Sequence, residues 1–397
     1  MGVIDRLCGK RILIWGYGRE GKSTRQFLKR CCNPSLVEVF EGKREDIDES
    51  KYDLIIKSPG IRMDEDDPRY TSQTELFLEE YRDQVVGITG TKGKSTTSTM
   101  LNHVLTRVKG GNIILLGNIG EPCLDYFDDI TPDTVIIFEM SCHQLAHVRV
   151  SPHIAVFLNL YEEHLDYYDT MDRYFSAKKN ITRYQNENDW FVVGDQVPNI
   201  KTAAKVIHMP FDTSGDYHLQ ILGKHNISNA NFVIRIATEL FGLDHDAVVA
   251  SLADFKGLPH RLEYVGERDG IKYYDDSIST IPGATIQALE SVPDAYTVLI
   301  GGMDRGIDYT ILEDYIRLHP EYRYICSYDS GKRIYEVVGD LDYCYYEESL
   351  EAAVSLAKSI TPPGKACILS PASASYGYFK NFEQRGEMFK NLCLMNW

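Results

Sequence analysis

The sequence predicts an α/β protein in which strands alternate with helices around parallel sheets. Glycine-rich loops at residues 16–21 and 90–95 each follow a short apolar strand and precede a helix, the local order of nucleotide-binding α/β units. Further apolar strands alternate with helical segments to the end of the chain. We therefore expect three domains: an N-terminal Rossmann-like domain over 1–82, a central P-loop domain with a parallel sheet over 83–257, and a C-terminal Rossmann-like α/β domain over 258–397.

The composition is that of a globular protein from a reducing compartment. At 397 residues the chain has room for two or three domains, and its formal charge of −16 argues against a nucleic-acid partner. The nine cysteines are odd in number and lack C-x-x-C spacing, which indicates free thiols and no zinc site. The first residues do not form a signal peptide and no apolar run reaches bilayer length. We expect a cytoplasmic protein without a membrane partner.

The first glycine loop matches the dinucleotide-binding fingerprint. It follows the strand Arg11–Trp15, and an acid, Glu41, follows the next strand. The three glycines of the fingerprint are Gly16, Gly18 and Gly21. Some 80 residues hardly suffice for a whole NAD site, so we expect a Rossmann-like module that binds a different nucleotide, and an NAD-dependent dehydrogenase is the alternative. The turn formed by Ser58, Pro59 and Gly60 falls at the carboxyl edge of the same sheet.

The second glycine loop predicts a site for a nucleoside triphosphate. Its residues are Gly90, Thr91, Lys92, Gly93, Lys94, Ser95 and Thr96. Backbone N–H groups and the following helix N-terminus cradle phosphates in such loops, with the lysine reaching the terminal phosphates and the serine hydroxyl meeting Mg²⁺. The match is imperfect, because Ile88 stands where the strict pattern has glycine. The alternative is a glycine-rich helix cap without a ligand.

Three ionisable residues follow strands or lie on a helix of the central domain. Glu139 ends a buried strand, where it is a natural Mg²⁺ ligand or an ordinary exposed strand-end acid. His164 lies just past another strand. Lys178 shares an apolar helical face with Tyr174 and Ile181. Its amine either extends to solvent, which this pattern alone favours, or is buried with a lowered pKa and able to react with CO₂.

Three asparagines are further candidates for binding residues. Asn118 lies in a turn after the second glycine loop and its helix. Asn226 and Asn229 are three residues apart on one face of a helix. Two amides in that arrangement either bind a purine or a ribose, or cap the helix.

In this order, the motifs resemble those of the Mur ligase family. The stretches that carry the resemblance are 90–95, 118–120, 139–141, 164–166, 177–178, 223–229, 258–261, 276–277, 301–302, 369–375 and 379–386. They span almost the whole chain, and the last is the most typical of the glutamate-adding branch. A folylpolyglutamate-synthase-like ligase would not explain the first glycine loop. A non-catalytic nucleotide-binding regulator would need no pair of metal positions.

The resemblance implies an ATP-dependent ligase, acting as a monomer on UDP-N-acetylmuramoyl-L-alanine and glutamate in peptidoglycan synthesis. Its first domain would bind the UDP end of that substrate and not NAD. The residues implied for the UDP-linked substrate are Gly16, Gly18, Gly21, Glu41, Ser58, Pro59, Gly60 and, at the muramoyl part, Asn118. ATP would be held by residues 90–96, with Asn226 and Asn229 at the adenine. Arg261 and Asp276 would serve the γ-phosphate and the ribose.

The resemblance also implies two Mg²⁺ ions and a modified lysine. Ser95 and Glu139 would hold the first ion, and His164 with a carbamate on Lys178 would hold the second, which replaces the solvent-exposed interpretation of Lys178. Lys94, His164 and Lys178 would be the catalytic residues. The alanyl carboxylate would attack the γ-phosphate, and the amine of the amino acid would attack the resulting acyl phosphate.

The implied amino-acid subsite departs from the family pattern. Its residues would be Thr280, Arg305, Ser375, Tyr376 and Phe382. The glutamate-adding branch typically has a lysine where this chain has Ile278, and another lysine where it has Arg305. Because Arg and Lys are not interchangeable towards carboxylates, D-glutamate is the first expectation and L-glutamate is the alternative.

Overall fold

The computed structural model describes residues 2–63 and 67–394. Its contacts divide the chain into two compact units, Met1–Tyr217 with His225–Ala253 and His218–Lys224 with Asp254–Trp397. The described residues of the first unit form two sheets, and those of the second form one. The predicted α/β class is confirmed. The boundary predicted at residue 82 separates the two sheets of the first unit, and the division into three domains stays a prediction.

The first sheet has four parallel strands in the order β2-β1-β3-β4. They are β1 (Arg11–Trp15), β2 (Leu36–Phe40), β3 (Leu54–Lys57) and β4 (Tyr70–Thr71), with helices α1 (Val3–Leu7), α2 (Arg19–Cys31) and α3 (Gln73–Tyr81). Four of the five residues of β1 are buried, as expected for a central parallel strand. The first glycine loop joins β1 to α2.

The second sheet has six parallel strands in the order β10-β9-β8-β5-β7-β6. They are β5 (Val85–Thr89), β6 (Ile113–Gly117), β7 (Val135–Glu139), β8 (Ile154–Phe157), β9 (Trp190–Gly194) and β10 (Lys205–Met209). Its helices are α4 (Lys94–Val104), α5 (Cys142–Leu145), α6 (Leu165–Tyr168), α7 (Met171–Arg183), α8 (His225–Arg235) and α9 (His245–Leu252). Because β7 and β8 flank β5, the segments that follow these three strands meet at one edge of the sheet.

One hydrophobic core joins the two sheets of the first unit. Phe27 of α2 packs on Phe127 with ring centroids 4.7 Å apart. Phe77 of α3 meets Phe138 of β7 edge-on at 5.7 Å. Aromatic pairs of this kind add to the free energy of burial. The N-terminal sheet is therefore packed against the central sheet and shares its core.

The sheet of the second unit has six strands in the order β11-β12-β16-β13-β14-β15. They are β11 (Glu263–Arg268), β12 (Ile271–Asp275), β13 (Ala295–Ile300), β14 (Arg323–Ser327), β15 (Cys344–Glu347) and β16 (Ala366–Leu369). Its helices are α10 (Pro282–Ser291), α11 (Thr310–Leu318), α12 (Tyr328–Val338), α13 (Leu350–Ile360) and α14 (Phe382–Leu394). Only the β11–β12 hairpin is antiparallel among these described strands. The carboxyl ends of β12, β16 and β13 lie side by side.

All nine cysteines fall within the described residues, and each is a free thiol. Across residues 2–63 and 67–394, no helix combines the length and the apolar character needed to cross a bilayer.

Candidate active site

The second glycine loop connects the central strand β5 to helix α4. Gly93 has a φ of 82°, in the left-handed region, and caps the helix that begins at Lys94. A Cβ on Gly93 would come within 2.7 Å of Asn229 Oδ1. Only glycine satisfies both requirements, because it has no side chain to clash or to strain the backbone. The loop therefore presents its backbone N–H groups at the start of α4, as in phosphate-binding loops. Ser95 and Thr96 are half-buried in the first turn of α4.

Lys94 extends over the loop that precedes it. Its Nζ donates hydrogen bonds to Gly90 O at 3.0 Å and to Thr91 O at 2.9 Å. Burial lowers the pKa of Lys94, and the nearby Glu139 carboxylate acts in the opposite direction. Lys92 is exposed instead and pairs with Glu163 at 3.1 Å. Of the two loop lysines, only Lys94 is therefore positioned at the phosphate cradle.

Glu139 ends β7 and is fully buried. Its Oε1 accepts a hydrogen bond from Asn118 Nδ2 at 2.8 Å. Its Oε2 has no hydrogen-bond partner among the described residues. A buried carboxylate oxygen without a donor is unfavourable unless a cation compensates it. Glu139 thus fits a metal site, and Asn118, predicted at the muramoyl part of the substrate, contacts it directly.

Lys178 lies in the middle of α7 with a side chain that is 1% exposed. Its Nζ donates to Gly90 O at 2.8 Å and lies 3.3 Å from Thr89 Oγ1. The amine also stands 5.0 Å from the centre of the Tyr174 ring. Burial lowers the pKa of Lys178 to about 7, and the positive charge of Lys94 adds to the shift. The interpretation in which this lysine extends to solvent is wrong, because the helical pattern identifies a face but not its depth.

His164 is the N-cap residue that precedes α6, with a left-handed backbone at φ 58°. Its ring lies 5.2 Å from that of His143 and 6.1 Å from that of Tyr174, centroid to centroid. Tyr174 OH in turn lies 3.1 Å from Thr91 Oγ1 in the glycine loop. Tyr174 therefore contacts the loop, the histidine and the lysine from one position. Burial also lowers the pKa of His143 to about 4.

Asn226 and Asn229 lie on α8, beside the glycine loop. Both side chains are buried, and Asn229 Nδ2 donates to Asn226 Oδ1 at 3.0 Å. Asn229 is the residue that a Cβ on Gly93 would meet. The structure thus brings this amide pair, Lys94, Glu139 and Lys178 to the same edge of the central sheet.

A cleft of about 300 Å³ runs between the N-terminal and central sheets of the first unit. Its lining residues are Arg19, Glu20, Pro59, Gly60, Gly117, Asn118, Gly120, Pro122, Ser141, His143 and Gln144. Pro59, Gly60 and Asn118 belong to the predicted site for the UDP-linked substrate. The cleft lies close to Glu139 along the chain, because the lining residue Ser141 comes two residues after Glu139, at the end of β7.

The other predicted residues of that site surround the first glycine loop. Ser58 Oγ donates to Gly16 O at 3.1 Å. A Cβ on Gly21 would come within 2.1 Å of the same carbonyl oxygen, which explains the glycine at the third position. Gly18 and Glu41 are exposed and do not line the cleft.

Three polar residues near the cleft were given no role from the sequence. Gln144 Nε2 donates to Glu20 Oε1 at 3.0 Å, across 124 positions of sequence. Burial raises the pKa of Glu20. Burial lowers the pKa of Lys57 to about 8. The one local signal was the capping box that Gln144 forms with Ser141 at the start of α5.

In the second unit, Arg261 precedes β11 and Asp276 follows β12, so both lie at the open end of the β11–β12 hairpin. Asp276 accepts hydrogen bonds from Leu262 N at 3.1 Å and from Ser370 Oγ at 2.8 Å. Burial raises its pKa to about 6. Arg261 is exposed. The loop that holds Arg261 is therefore tied to Asp276 through its neighbour Leu262.

The predicted amino-acid residues come from three loops of the second unit. Ser375 is buried, Thr280 and Phe382 are half-buried, and Arg305 and Tyr376 are exposed. Sequence reasoning missed the residue that links these loops, Arg385.

Arg385 is 1% exposed, and its guanidinium donates to Ser277 Oγ at 3.0 Å, to Ser277 O at 2.8 Å and to Ser373 O at 3.0 Å. A Cβ on Gly302 would come within 2.9 Å of Arg385 Nη1. The guanidinium therefore lies against the segments that follow β12, β13 and β16.

Comparison with known proteins identifies the family. The model of the Mur ligase middle domain matches residues 88–215. The UDP-N-acetylmuramoylalanine–D-glutamate ligase of Oenococcus oeni is 30% identical over 96% of this chain and 96% of its own length. The chain belongs to the Mur ligase family. The UDP-N-acetylmuramoyl-L-alanine–L-glutamate ligase of Salinispora tropica is also 30% identical, over 97% of this chain and 98% of that protein.

A solved Mur ligase has the same fold. The structure of the MurF ligase of Thermotoga maritima in complex with ADP matches with a TM-score of 0.59 and 16% identity, covering 98% of this chain and 96% of that one. As a Mur ligase, the protein is an ATP-dependent enzyme that forms amide bonds and uses Mg²⁺. The predicted enzyme class is confirmed, and the dehydrogenase alternative is not supported.

Proposed function

We propose that the protein joins D-glutamate to UDP-N-acetylmuramoyl-L-alanine, with conversion of ATP to ADP and phosphate, in a cytoplasmic step of peptidoglycan synthesis. The observation that carries this proposal is the similarity, over nearly the full length of both chains, to a ligase named for that reaction. Full-length similarity matters because ATP, the UDP-linked substrate and the amino acid are proposed to bind three different parts of the chain.

ATP is proposed to bind at the second glycine loop. The backbone of residues 90–96 would hold the phosphates, and Lys94 would neutralise charge on the phosphoryl group in transfer. Asn226 and Asn229 would contact the adenine, with Arg261 at the γ-phosphate and Asp276 at the ribose. Support for the loop comes from the left-handed Gly93 and from the buried lysine amine beside it.

Two Mg²⁺ positions are proposed around the same loop. Ser95 and Glu139 would hold the first ion, and the fit rests on the buried, unpartnered Glu139 Oε2. His164 and a carbamate on Lys178 would hold the second. When bound, Mg²⁺ supplies positive charge that stabilises phosphoryl transfer.

The carbamate is proposed because Lys178 has an amine that is partly neutral at physiological pH. The lone pair of Nζ would attack the carbon of CO₂ to form an N–C bond, and loss of a proton from nitrogen would leave a carbamate anion. Carbamate formation would give Lys178 oxygen atoms that bind Mg²⁺ as a carboxylate does, whereas an amine is a poor ligand for this ion. Burial against Gly90 and Thr89 supports this chemistry, since it disfavours the ammonium form.

The reaction would proceed in two substitutions. The terminal carboxylate of the UDP-linked substrate attacks the γ-phosphorus of ATP, and ADP leaves with formation of an acyl phosphate. The amine of glutamate then attacks the acyl carbon, its nitrogen loses a proton, and the tetrahedral intermediate breaks its C–O bond to phosphate, which leaves with that proton as hydrogen phosphate and an amide remains. The protein contributes mainly positioning and electrostatic stabilisation.

The cleft of the first unit is the proposed site for the UDP-linked substrate, with Asn118 at its muramoyl part. The first glycine loop, Glu41 and the turn at residues 58–60 would serve the UDP end. Glutamate would bind at Thr280, Arg305, Ser375, Tyr376 and Phe382. The L-glutamate alternative has a specific basis, because a relative with that specificity is equally similar and because Ile278 and Arg305 depart from the usual lysines.

The test measures phosphate release from ATP with Mg²⁺ and UDP-N-acetylmuramoyl-L-alanine, with D-glutamate and L-glutamate in parallel reactions. Turnover with D-glutamate alone is expected. Turnover with L-glutamate alone would reverse the assignment of stereochemistry, and Arg305→Lys would then be tested for recovery of D-glutamate use. No turnover with either would contradict the proposed substrates. Light scattering of the purified enzyme tests the expected monomer.

A further inference from the structure

His143 connects the cleft of the first unit to the proposed second metal position. It is the second residue of α5 and lines the cleft together with Asn118. Its ring meets that of His164, a proposed metal ligand, edge-on with centroids 5.2 Å apart. Asn118 reaches the first metal position in a similar way, because its Nδ2 donates to Glu139 Oε1 at 2.8 Å. The cleft therefore has a lining residue in contact with a proposed ligand of each metal ion.

Neighbouring side chains fix the orientation of the His143 ring. Tyr167 packs edge-on against it with centroids 4.4 Å apart, and the ring of Tyr168 lies at 5.5 Å. The capping box formed by Ser141 and Gln144 holds the backbone of this segment. An imidazole held in this way presents its nitrogen atoms in a fixed direction, so little conformational entropy is lost when a ligand binds to it.

The two ring nitrogens of His143 have different surroundings. Nδ1 lies 3.5 Å from Cys142 Sγ. Nε2 has no hydrogen-bond partner among residues 2–63 and 67–394. With the Cys142 thiol as donor to Nδ1, the ring proton lies on Nε2. Because the His143 side chain is only half-buried, this tautomer leaves an N–H group available to an oxygen atom of a ligand in the cleft.

We propose that His143 Nε2 donates a hydrogen bond to the terminal carboxylate of the UDP-linked substrate. This inference rests on the proposed function, in which the substrate extends from the cleft to the γ-phosphate of ATP. The reacting carboxylate must then lie beside the metal ligands, which is where His143 meets His164. His143 would hold the carboxylate oxygen that does not attack phosphorus.

The same N–H group would serve both steps of the reaction. In the first step it directs the other carboxylate oxygen at the γ-phosphorus. The oxygen that it holds becomes the carbonyl oxygen of the acyl phosphate, and this oxygen gains negative charge when the amine of glutamate attacks the acyl carbon. A fixed donor stabilises that charge more than it stabilises the neutral carbonyl, so it lowers the barrier of the second step. His143 is thus a catalytic residue of the proposed reaction.

Two variants separate hydrogen bonding by His143 from packing. His143→Phe keeps a ring that can pack on Tyr167 but loses the donor, whereas His143→Gln loses the ring but keeps an N–H donor. We expect kcat to fall by about 10²-fold in His143→Phe and by much less in His143→Gln. The matched control is His245→Phe at an exposed histidine, and it should turn over as the parent does. If His143→Phe does not fold, His143→Leu takes its place, since it also lacks a donor.

Titration calorimetry without ATP provides a readout that does not depend on turnover. His143→Phe should bind UDP-N-acetylmuramoyl-L-alanine about tenfold more weakly than the parent. It should bind UDP, which lacks the carboxylate, as tightly as the parent. The Mg²⁺ concentration for half-maximal rate should not change, because His143 is assigned to the substrate and not to the metal.

Three results would overturn the inference. One is higher activity of His143→Phe than of His143→Gln, which would show that the ring acts by packing. Another is an equal loss of affinity for UDP and for the UDP-linked substrate, or no loss for either. The third is a raised Mg²⁺ requirement in His143→Phe. If the parent turns over the UDP-linked substrate, each of these results leaves the proposed function intact, whereas a parent that does not bind this substrate would contradict both.

Discussion

Two buried cations, Lys178 in the first unit and Arg385 in the second, are equally hidden from solvent but are held in different ways. Each side chain is 1% exposed. Lys178 meets one carbonyl oxygen, Gly90 O, at 2.8 Å and a hydroxyl at 3.3 Å. Arg385 donates to the carbonyl oxygens of Ser277 and Ser373 at 2.8 and 3.0 Å, and also to a serine hydroxyl.

The difference between them is chemical. Burial lowers the pKa of Lys178 to about 7 and that of Arg385 to about 10. At neutral pH the lysine is therefore partly uncharged and nucleophilic, whereas the arginine keeps its charge. A lysine amine changes its protonation state readily on burial, and a guanidinium does not. Lys178 therefore suits the reactive role proposed for it, whereas Arg385 is suited to connecting loops.

The largest expected effect is that of Lys178→Ala on ligase turnover. Because the variant removes the proposed carbamate, turnover should fall by about 10²–10³-fold or more. Formate or acetate, which can replace the lost carboxylate, should restore part of it. The neighbouring Lys179, which is half-buried against Phe175, provides the control Lys179→Ala. Full activity of Lys178→Ala would refute the reactive role.

Glu139→Gln tests whether the region around Lys178 is built for a metal ion. The amide oxygen of glutamine can still accept from Asn118, but the charge at the unpartnered oxygen is lost. Turnover should fall on the order of 10²-fold, and the Mg²⁺ concentration for half-maximal rate should rise. The exposed Glu239 gives the control Glu239→Gln. An unchanged Mg²⁺ dependence would remove Glu139 from the metal site.

The sequence predicts those parts of the candidate active site that are formed by residues close together in the chain. The strand, the left-handed Gly93 and helix α4 lie within a few residues of one another. The position of Glu139 at a strand end is equally local. Their assembly at one edge follows from the parallel order of β5, β7 and β8.

The parts that the sequence does not predict depend on contacts between distant residues. Arg385 reaches Ser277 across 108 positions, and no spacing rule relates them. The depth of Lys178 depends on how α7 packs against the end of β5, which a helical pattern does not specify. The hydrophobic core shared by the first two sheets likewise joins two segments, 1–82 and 83–257, that the sequence predicts as separate domains.

Arg385→Met tests the connecting role. Because several carbonyl oxygens would lose their donor, the free energy of unfolding of the second unit should fall by about 2–3 kcal/mol. The KM for glutamate should rise more than the KM for ATP, since the loops that carry the proposed amino-acid residues would loosen. Arg385→Lys should recover part of the stability. The exposed Arg317 gives the control Arg317→Met, and equal stability of both variants would contradict the role.

Lys57 is a third buried cation and should give the smallest effect. It is 5% exposed, and its Nζ donates to Ile61 O at 2.7 Å and to Ser58 O at 3.3 Å. Burial lowers its pKa from 10.5 to about 8, while the Glu20 carboxylate acts in the opposite direction. Between these two pKa values the unfolded chain binds more protons than the folded one, so stability due to this group rises with pH.

The measurement compares the parent with Lys57→Met across that interval, with the exposed Lys51→Met as the control. The free energy of unfolding of the parent, relative to Lys57→Met, should be level below about pH 7 and should then rise by at most about 1.4 kcal/mol per pH unit up to about pH 10. Relative to Lys51→Met it should stay level, because the side chain of Lys51 is exposed to solvent in the folded protein. Parallel curves for the two variants would show that Lys57 keeps its proton on folding, as Arg385 does.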